Sequence, residues 1–79
     1  MGWTVYILFC NDKRTYVGCT ENLPERYKRH NEGGVPATKG RLPVVLILYI
    51  SFPDKYKAYE FEKYLKSGSG RAFMKKHFL

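Results

Sequence analysis

The 79-residue chain contains only two cysteines, Cys10 and Cys19, and no apolar run long enough to cross a membrane. Two thiols cannot form a disulfide framework, and their spacing relative to His30 and His77 matches no zinc-binding pattern. The apolar stretch from Trp3 to Cys10 is too short for a membrane span and has no basic flank before it, so we expect no signal peptide. These absences favour a cytoplasmic protein without a membrane partner, in which both cysteines are small core residues.

Acidic residues are also scarce, because 7 Asp and Glu stand against 14 Lys and Arg and leave a formal net charge of +7. Such an excess favours a polyanionic partner, since each cation that meets a phosphate releases condensed counterions. A solvated basic surface that only maintains solubility is the alternative. The length predicts one domain over residues 1–79 with a modest core. Hydrophobic residues at 44% and charged residues at 27% indicate a folded chain.

Hydrophobic patterning predicts three strands and three helices in the order β-β-α-β-α-α. The first two strands, Trp3 to Cys10 and Thr15 to Thr20, flank a polar turn and form a hairpin. The apolar, β-branched run from Val44 to Ile50 predicts a buried third strand that is central in the sheet. The expected fold class is α+β, with an antiparallel or mixed three-stranded sheet and flanking helices.

The first predicted helix lies directly after the hairpin. Asn22 is a suitable N-cap, and Pro24 is tolerated in the first turn. Gly33 and Gly34 are expected to end the helix. The segment from Val35 to Leu42 that follows is predicted to be a mobile loop.

Two further helices are predicted in the last third of the chain. Asp54 is expected to cap a helix that runs to about Ser67. Ser69 is expected to cap a final short helix from Arg71 to about His77.

Two tyrosines, Tyr6 and Tyr16, lie on the two strands of the hairpin. Their side chains share a face of the sheet only if the numbers of two paired residues add up to an even number. A hairpin with an odd-length loop meets this condition. Pairing Tyr6 with Gly18 and Leu8 with Tyr16 meets this condition and makes the phenols diagonal neighbours. Gly18 then leaves room for the aromatic ring opposite it. Ordinary half-buried strand tyrosines are the alternative, since tyrosine is favoured in strands.

One stripe of the first helix combines apolar residues with an arginine and a histidine. Leu23, Arg26, Tyr27 and His30 recur at helical spacing, which turns Arg29 to another side. An inward cation needs a partner or a ligand, and the planar guanidinium of Arg26 suits a phosphate. The alternatives are that Arg26 extends along the surface to solvent and that His30 is a packing residue rather than a proton carrier.

Two carboxylates on the second predicted helix differ in their position relative to its apolar stripe. Glu62 lies at the edge of the stripe that contains Ala58 and Leu65, whereas Glu60 lies about 130° from its centre. A carboxylate beside a core needs a cation or a metal ion. A salt bridge from Glu62 to Lys66, one turn later, is the alternative.

Taken together and in this order, these residues resemble the motifs of the GIY-YIG endonuclease superfamily. The first motif appears as Thr4-Val5-Tyr6 and the second as Tyr16-Val17-Gly18, in which Val17 and Gly18 are structural. The arginine and the glutamate of the family match Arg26 and Glu62. The ending is similar to small stand-alone bacterial members related to the nuclease domain of the UvrC excision-repair subunit. The resemblance covers nearly the whole chain, so no separate DNA-binding domain is expected.

The resemblance implies metal-dependent hydrolysis of phosphodiester bonds in DNA. Glu62 would bind Mg²⁺ or Mn²⁺, and the ion would polarise a phosphate oxygen and stabilise the leaving 3′ oxygen. Arg26 would neutralise charge that develops on the phosphoryl group. Tyr6 or Tyr16 would act as general base, with its phenol pKa lowered by Arg26, His30 and the metal. His30 would also serve in proton relay.

Six cations around the hairpin and the loop are expected to contact the nucleic-acid backbone. They are Lys13, Arg14, Lys28, Arg29, Lys39 and Arg41. Such contacts position DNA but read no sequence, so we expect selectivity for branched, nicked or damaged DNA, as in DNA repair. The alternatives are a non-catalytic nucleic-acid-binding module on the same scaffold and a protein-interaction domain with an acidic partner.

One residue departs from the pattern of the family, because Thr4 stands where the first motif has glycine. Thr4 precedes Tyr6 by two positions and therefore faces the same side of the strand. Its larger side chain is expected to narrow the site. The sequence does not indicate an oligomeric state.

Overall fold

The computed structural model describes residues 2–79, and within them three strands and four helices follow one another. In chain order they are β1 (Trp3–Cys10), β2 (Thr15–Thr20), α1 (Leu23–Asn31), α2 (Pro36–Lys39), β3 (Val44–Phe52), α3 (Lys55–Leu65) and α4 (Gly68–His77). The predicted α+β class and the order of the strands and main helices are confirmed, with the short helix α2 as an addition. No helix within this range is both long and apolar enough to cross a bilayer.

The sheet is antiparallel, and its strand order is β2-β1-β3. The prediction that the third strand is central is therefore wrong, because β1 occupies the centre. Residues Val5 to Leu8 of β1 are buried on both faces, whereas Val45, Ile47 and Tyr49 of β3 are exposed. An apolar run in an edge strand has the same sequence pattern as one in a central strand, so composition alone could not separate them.

The hairpin register is the one predicted from residue parity. Tyr6 pairs with Gly18 and Leu8 pairs with Tyr16. The backbone N–H of Cys10 donates to the carbonyl of Arg14, which leaves a three-residue loop in which Lys13 adopts a left-handed conformation with φ of 68°. An odd-length loop of this kind places both tyrosines on one face of the sheet.

Two apolar clusters lie on opposite faces of the sheet. Val5 and Ile7 point toward α3 and α4, where Ala58, Leu65 and Met74 are buried. The intervening side chains point toward α1; Tyr6, Leu8, Cys10 and Val44 are buried there. The alternation of β1 side chains therefore divides the core into two layers. Both cysteines are free thiols; Cys10 is buried and Cys19 is half-buried against the α3 layer.

The bounds of α1 follow the predicted signals. The Asn22 side chain accepts a hydrogen bond from the backbone N–H of Glu25 at 3.2 Å. At the other end, the N–H of Gly33 donates to the His30 carbonyl, and Gly33 has a φ of +78° that favours glycine.

The segment from Val35 to Leu42 is not a featureless loop, because residues Pro36–Lys39 form α2. Pro36 begins this helix, where the missing N–H has no cost. Thr38 on α2 is completely buried. The burial of a polar residue in so short a helix has a specific cause in its contact with His30, described below.

The boundary between α3 and α4 differs from the prediction by a few residues. Asp54 caps α3 as predicted, but α3 ends at Leu65. The N-cap of α4 is Ser67 rather than Ser69, and its hydroxyl accepts from the N–H of Gly70 at 3.2 Å. Gly70 is buried where the first turn of α4 crosses the end of α3, so a cap two residues earlier satisfies the N–H groups at that crossing.

We predict that Gly70→Ala destabilises the fold by about 2 kcal/mol or more. A Cβ at Gly70 would lie 1.8 Å from the carbonyl oxygen of Tyr64, a backbone atom that cannot move without shifting α3. The control is Gly68→Ala in the same helix, because a Cβ there would meet nothing within 4 Å. Gly68→Ala should leave stability unchanged or raise it slightly. Urea unfolding of both variants measures the difference, and equal stabilities would contradict the packing described.

Candidate active site

The ring of Tyr6 lies across β2 at Gly18. Tyr6 is fully buried, and a Cβ on Gly18 would lie 2.4 Å from its Cζ and Oη atoms. Gly18 is therefore required by the close approach of the phenol and not by backbone conformation. This gap in β2 lets the hydroxyl of Tyr6 extend beyond the strand that pairs with β1.

The Tyr6 hydroxyl is held by a buried chain of three polar side chains. It is 2.8 Å from Nε2 of His30, and Nδ1 of His30 is 2.7 Å from Oγ1 of Thr38. All three residues are completely buried, and no buried side-chain polar atom within residues 2–79 lacks a partner. A neutral imidazole has one N–H, so it donates to one hydroxyl and accepts from the other. His30 therefore both packs and hydrogen-bonds, as the first helix stripe indicated.

Burial keeps both titratable members of this chain neutral. Burial raises the pKa of Tyr6 to about 12, and the neighbouring charge of Tyr16 adds to this, while Arg26 partly offsets it. Burial, followed by the positive charge of Arg26, lowers the pKa of His30. Arg26 alone therefore does not lower the pKa of Tyr6, because loss of solvation outweighs the arginine.

Tyr16 lies beside this chain but is more accessible. Its ring centroid is 6.3 Å from that of Tyr6 and 5.2 Å from that of His30, and its side chain is half-buried. Within residues 2–79 no protein group hydrogen-bonds its hydroxyl. Tyr16 therefore offers a phenol oxygen to a ligand, whereas the Tyr6 oxygen is occupied by His30.

Arg26 and Arg29 point to different surroundings, as helix phase predicted. Arg26 is half-buried, and its charge acts on both Tyr6 and His30. Arg29 is exposed, and its aliphatic stem lies against Gly34. Of these two arginines, the structure brings Arg26 to the tyrosine pair.

Glu62 and Glu60 also point to different surroundings. Glu60 is exposed, whereas the side chain of Glu62 is 20% exposed. The negative charge of Glu62 contributes, after burial, to the raised pKa values of Tyr6 and Cys19, which lie on opposite faces of the sheet. Glu62 is thus beside the edge strand β2, where the two faces meet. It also makes the salt bridge weighed as an alternative, with Nζ of Lys66 at 3.0 Å.

The donor atoms at Glu62 suit a metal ion that is shared between the protein and a phosphate. Within residues 2–79 no three His, Cys, Asp or Glu side chains are grouped closely enough to form a protein cage for an ion. Glu62 is a single hard carboxylate, and Mg²⁺ commonly takes one or two carboxylates together with waters and substrate phosphates. Glu62 therefore fits a shared site for Mg²⁺ or Mn²⁺ with a phosphate, in competition with Lys66.

The six predicted backbone-contacting cations are not equivalent. Arg41 is ion-paired with Asp12, with Nε to Oδ2 at 2.6 Å, and this pairing lowers the pKa of the Asp12 carboxyl. The guanidinium of Arg41 therefore ties the region after α2 to the hairpin turn, and its contact with phosphate stays a prediction. The other five cations are exposed: Lys13, Arg14, Lys28, Arg29 and Lys39.

A basic cleft beside Tyr16 contains cations that the sequence analysis did not select. It is an open cleft of about 1150 Å³ between the hairpin turn and the α3–α4 corner. Its six cations are Lys13, Arg14, Arg41, Lys66, Arg71 and Lys75. The last three were missed, as was Thr38, because the sequence alone does not show which face of α4 meets the hairpin or that α2 folds over His30.

The structure also shows where Thr4 points. Its hydroxyl is 3.0 Å from Oγ of Ser51 on β3. Since β3 lies on the opposite side of β1 from β2, this contact directs Thr4 away from Tyr16 and Gly18. The expectation that Thr4 narrows the site is therefore wrong.

The arrangement of a three-stranded antiparallel sheet with two tyrosines, an arginine and a glutamate at one edge defines a known class. A family model described as the GIY-YIG catalytic domain matches residues 2–77. The chain belongs to the GIY-YIG family, and its domain is an endonuclease fold.

Similar proteins carry the name UPF0213. One from Clostridium perfringens is 46% identical over 63 residues, which cover 78% of this chain and 68% of that protein. Another from Pediococcus pentosaceus is 40% identical over an alignment of 81 positions, which covers 96% of this chain and 84% of that protein. The solution NMR structure of a UPF0213 protein from Bacillus halodurans matches with a TM-score of 0.61 at 34% identity, over 96% of this chain and 84% of that one.

We predict that His30 makes stability pH-dependent below about pH 6.5. Its pKa is lower in the folded state than the ordinary 6.5, so the unfolded chain takes up the proton first. Stability is therefore fully present above pH 6.5 and falls as the pH drops toward the folded-state pKa, by at most about 1.4 kcal/mol per pH unit.

Urea unfolding at pH 7.5 and 5.5 measures this effect. The chain has only two histidines, so exposed His77→Gln is the matched control and should behave as the parent, while His30→Gln should lose the dependence. A parent protein equally stable at both pH values would contradict the prediction. If His30→Gln does not fold, an NMR titration of the parent gives the same test, since its His30 must titrate below 6.5.

Proposed function

We propose that this protein is a metal-dependent endonuclease that hydrolyses phosphodiester bonds of DNA. One observation carries the proposal: Arg26 from α1 and Glu62 from α3 both act electrostatically on the hydroxyl end of Tyr6, next to the accessible Tyr16. A cation and a carboxylate from two different helices thus act on one phenol, beside a second phenol. This is the set of groups that phosphoryl transfer requires for charge neutralisation, metal binding and water activation.

The two charged groups have complementary tasks. When bound at Glu62, a divalent ion supplies Lewis acidity toward a phosphate oxygen and the leaving 3′ oxygen. Arg26 contacts the phosphoryl oxygens and neutralises the charge that builds up on them, with a planar fork suited to two oxygens. Its half-buried position reduces competition from water.

The two tyrosines have different tasks. Tyr16 has an accessible hydroxyl and acts as the general base that receives a proton from the attacking water. Tyr6 is a positioning residue, since its pKa of about 12 keeps it protonated and His30 holds its hydroxyl in place. This assignment follows from burial and hydrogen bonding, which the sequence could not reveal.

The substrate we propose is branched, nicked or flapped DNA, as met in DNA repair. The exposed cations near the site are lysines and arginines that suit phosphate contacts, and such contacts read no sequence. Selectivity then comes from the shape of the DNA. Two free thiols agree with action in the cytoplasm.

A non-catalytic nucleic-acid-binding module is the second candidate, and the Glu62–Lys66 pair favours it. With Nζ of Lys66 at 3.0 Å, the carboxylate has a cation even without metal. Since Lys66 is 51% exposed, the pair is a weak one that a divalent ion can displace.

We predict Mg²⁺- or Mn²⁺-dependent nicking of flap or four-way junction DNA that EDTA abolishes. Glu62→Gln should lower the cleavage rate by roughly 100-fold or more, because it removes the carboxylate ligand at the proposed metal position. The matched control is Glu60→Gln on the exposed side of α3, which should cleave as the parent does. Denaturing gels of labelled substrates measure the rates. If the parent protein binds these substrates but never cleaves them, only the non-catalytic nucleic-acid-binding module remains.

We predict that Tyr16→Phe lowers the single-turnover cleavage rate by about 100-fold or more, as expected for loss of a general base. Tyr6→Phe should have a smaller effect, since the ring still packs at Gly18. A larger loss of rate in Tyr6→Phe than in Tyr16→Phe would contradict the assignment of Tyr16 as the general base.

A further inference from the structure

We propose that the basic cleft between the hairpin turn and the α3–α4 corner binds a single-stranded arm of DNA and leads it to the candidate active site. The charge of the cleft is the first observation. Six of the 14 Lys and Arg residues of the chain line it, and its one carboxylate side chain, Asp12, is already paired with Arg41. A surface of this composition fits a polyphosphate backbone.

The position of the cleft connects it to the catalytic groups. Tyr16 lines the cleft, and so does Lys66, whose ammonium lies 3.0 Å from Glu62. A strand that follows the cations from Arg71 and Lys75 therefore reaches the proposed base and the proposed metal ligand at one end. A phosphate at that end also offers Lys66 a second anionic partner, which would free Glu62.

The floor of the cleft favours a single strand over a duplex. Phe9, which is 38% exposed, lines it together with the buried Leu65 and Met74. A duplex presents phosphates and sugars on its outside and offers nothing to these apolar groups. Unpaired bases have exposed faces that stack on aromatic side chains, and this combination of cations and aromatic rings is typical of single-strand binding.

Only one of the two parts of this inference rests on the proposed function. Binding of single-stranded DNA by the cleft does not require catalysis. The statement that the bound strand is the arm of a flapped substrate rests on the proposed function. Binding is therefore measured with Glu62→Gln protein, which cannot degrade the probe, and cleavage is measured separately with the parent.

The experiment is fluorescence anisotropy with a labelled oligothymidylate and a labelled duplex of equal length, over a range of salt concentrations. In the Glu62→Gln background, Arg71→Ala/Lys75→Ala should lower affinity for the single strand about tenfold at low salt. It should also reduce the slope of log affinity against log salt by about 1.4, or about 0.7 per lost phosphate contact. Lys63→Ala/Lys76→Ala removes the same charge from exposed positions outside the cleft and should change neither value.

A second pair of variants tests the apolar floor. Phe9→Ala should weaken single-strand binding by about fivefold to a hundredfold through lost stacking, with little effect on the duplex. Tyr56→Ala, at a 72% exposed position outside the cleft, is the control and should bind as the parent. Circular dichroism checks that each variant folds.

Three outcomes would overturn the inference: equal losses in the Lys63/Lys76 control, tighter binding of the duplex than of the single strand, or no effect of Arg71→Ala/Lys75→Ala. Failure of the proposed function looks different. In that case the cleft variants lose binding as expected, but the parent protein cleaves no substrate with either metal.

Discussion

The structure depends on how one tyrosine is buried. Tyr6 comes from the central strand and crosses the edge strand β2 at Gly18, and its hydroxyl then meets His30. An uncompensated buried hydroxyl and imidazole would be costly. The chain through Thr38 satisfies both and ties α2, the helix that carries Thr38, to α1 and the sheet. The position of the Tyr6 hydroxyl and the neutral state of Tyr6 and His30 thus both follow from the burial of this one side chain.

The crossing at Gly18 also explains how residues from opposite faces of the sheet can cooperate. Arg26 is on α1, and Glu62 is on α3, on the other side of the sheet. A group in the middle of the sheet could be reached by only one of the two, because the other would have to pass through the sheet. At the edge strand they act on the same phenol. Tyr16 and Lys66, the ion-pair partner of Glu62, line the basic cleft that opens here.

Much of this arrangement was predictable because local rules determine it. Parity in the hairpin gave the Tyr6–Gly18 pairing, and helix phase selected Arg26 over Arg29 and Glu62 over Glu60. Properties that depend on distant packing were not predictable. The edge position of β3, the contact of Thr38 with His30 and the raised pKa of Tyr6 all require knowledge of which elements meet. The roles assigned to the site residues stay predictions.

The central claim is that this edge of the sheet hydrolyses DNA by activating water. The most direct measurement is cleavage of a flap substrate by the parent protein in ¹⁸O-labelled water with Mn²⁺, followed by mass spectrometry of the products. The account predicts one ¹⁸O atom in the new 5′-phosphate and a free 3′ hydroxyl on the other fragment. Product without label in its phosphate, or intact substrate despite tight binding, would contradict it.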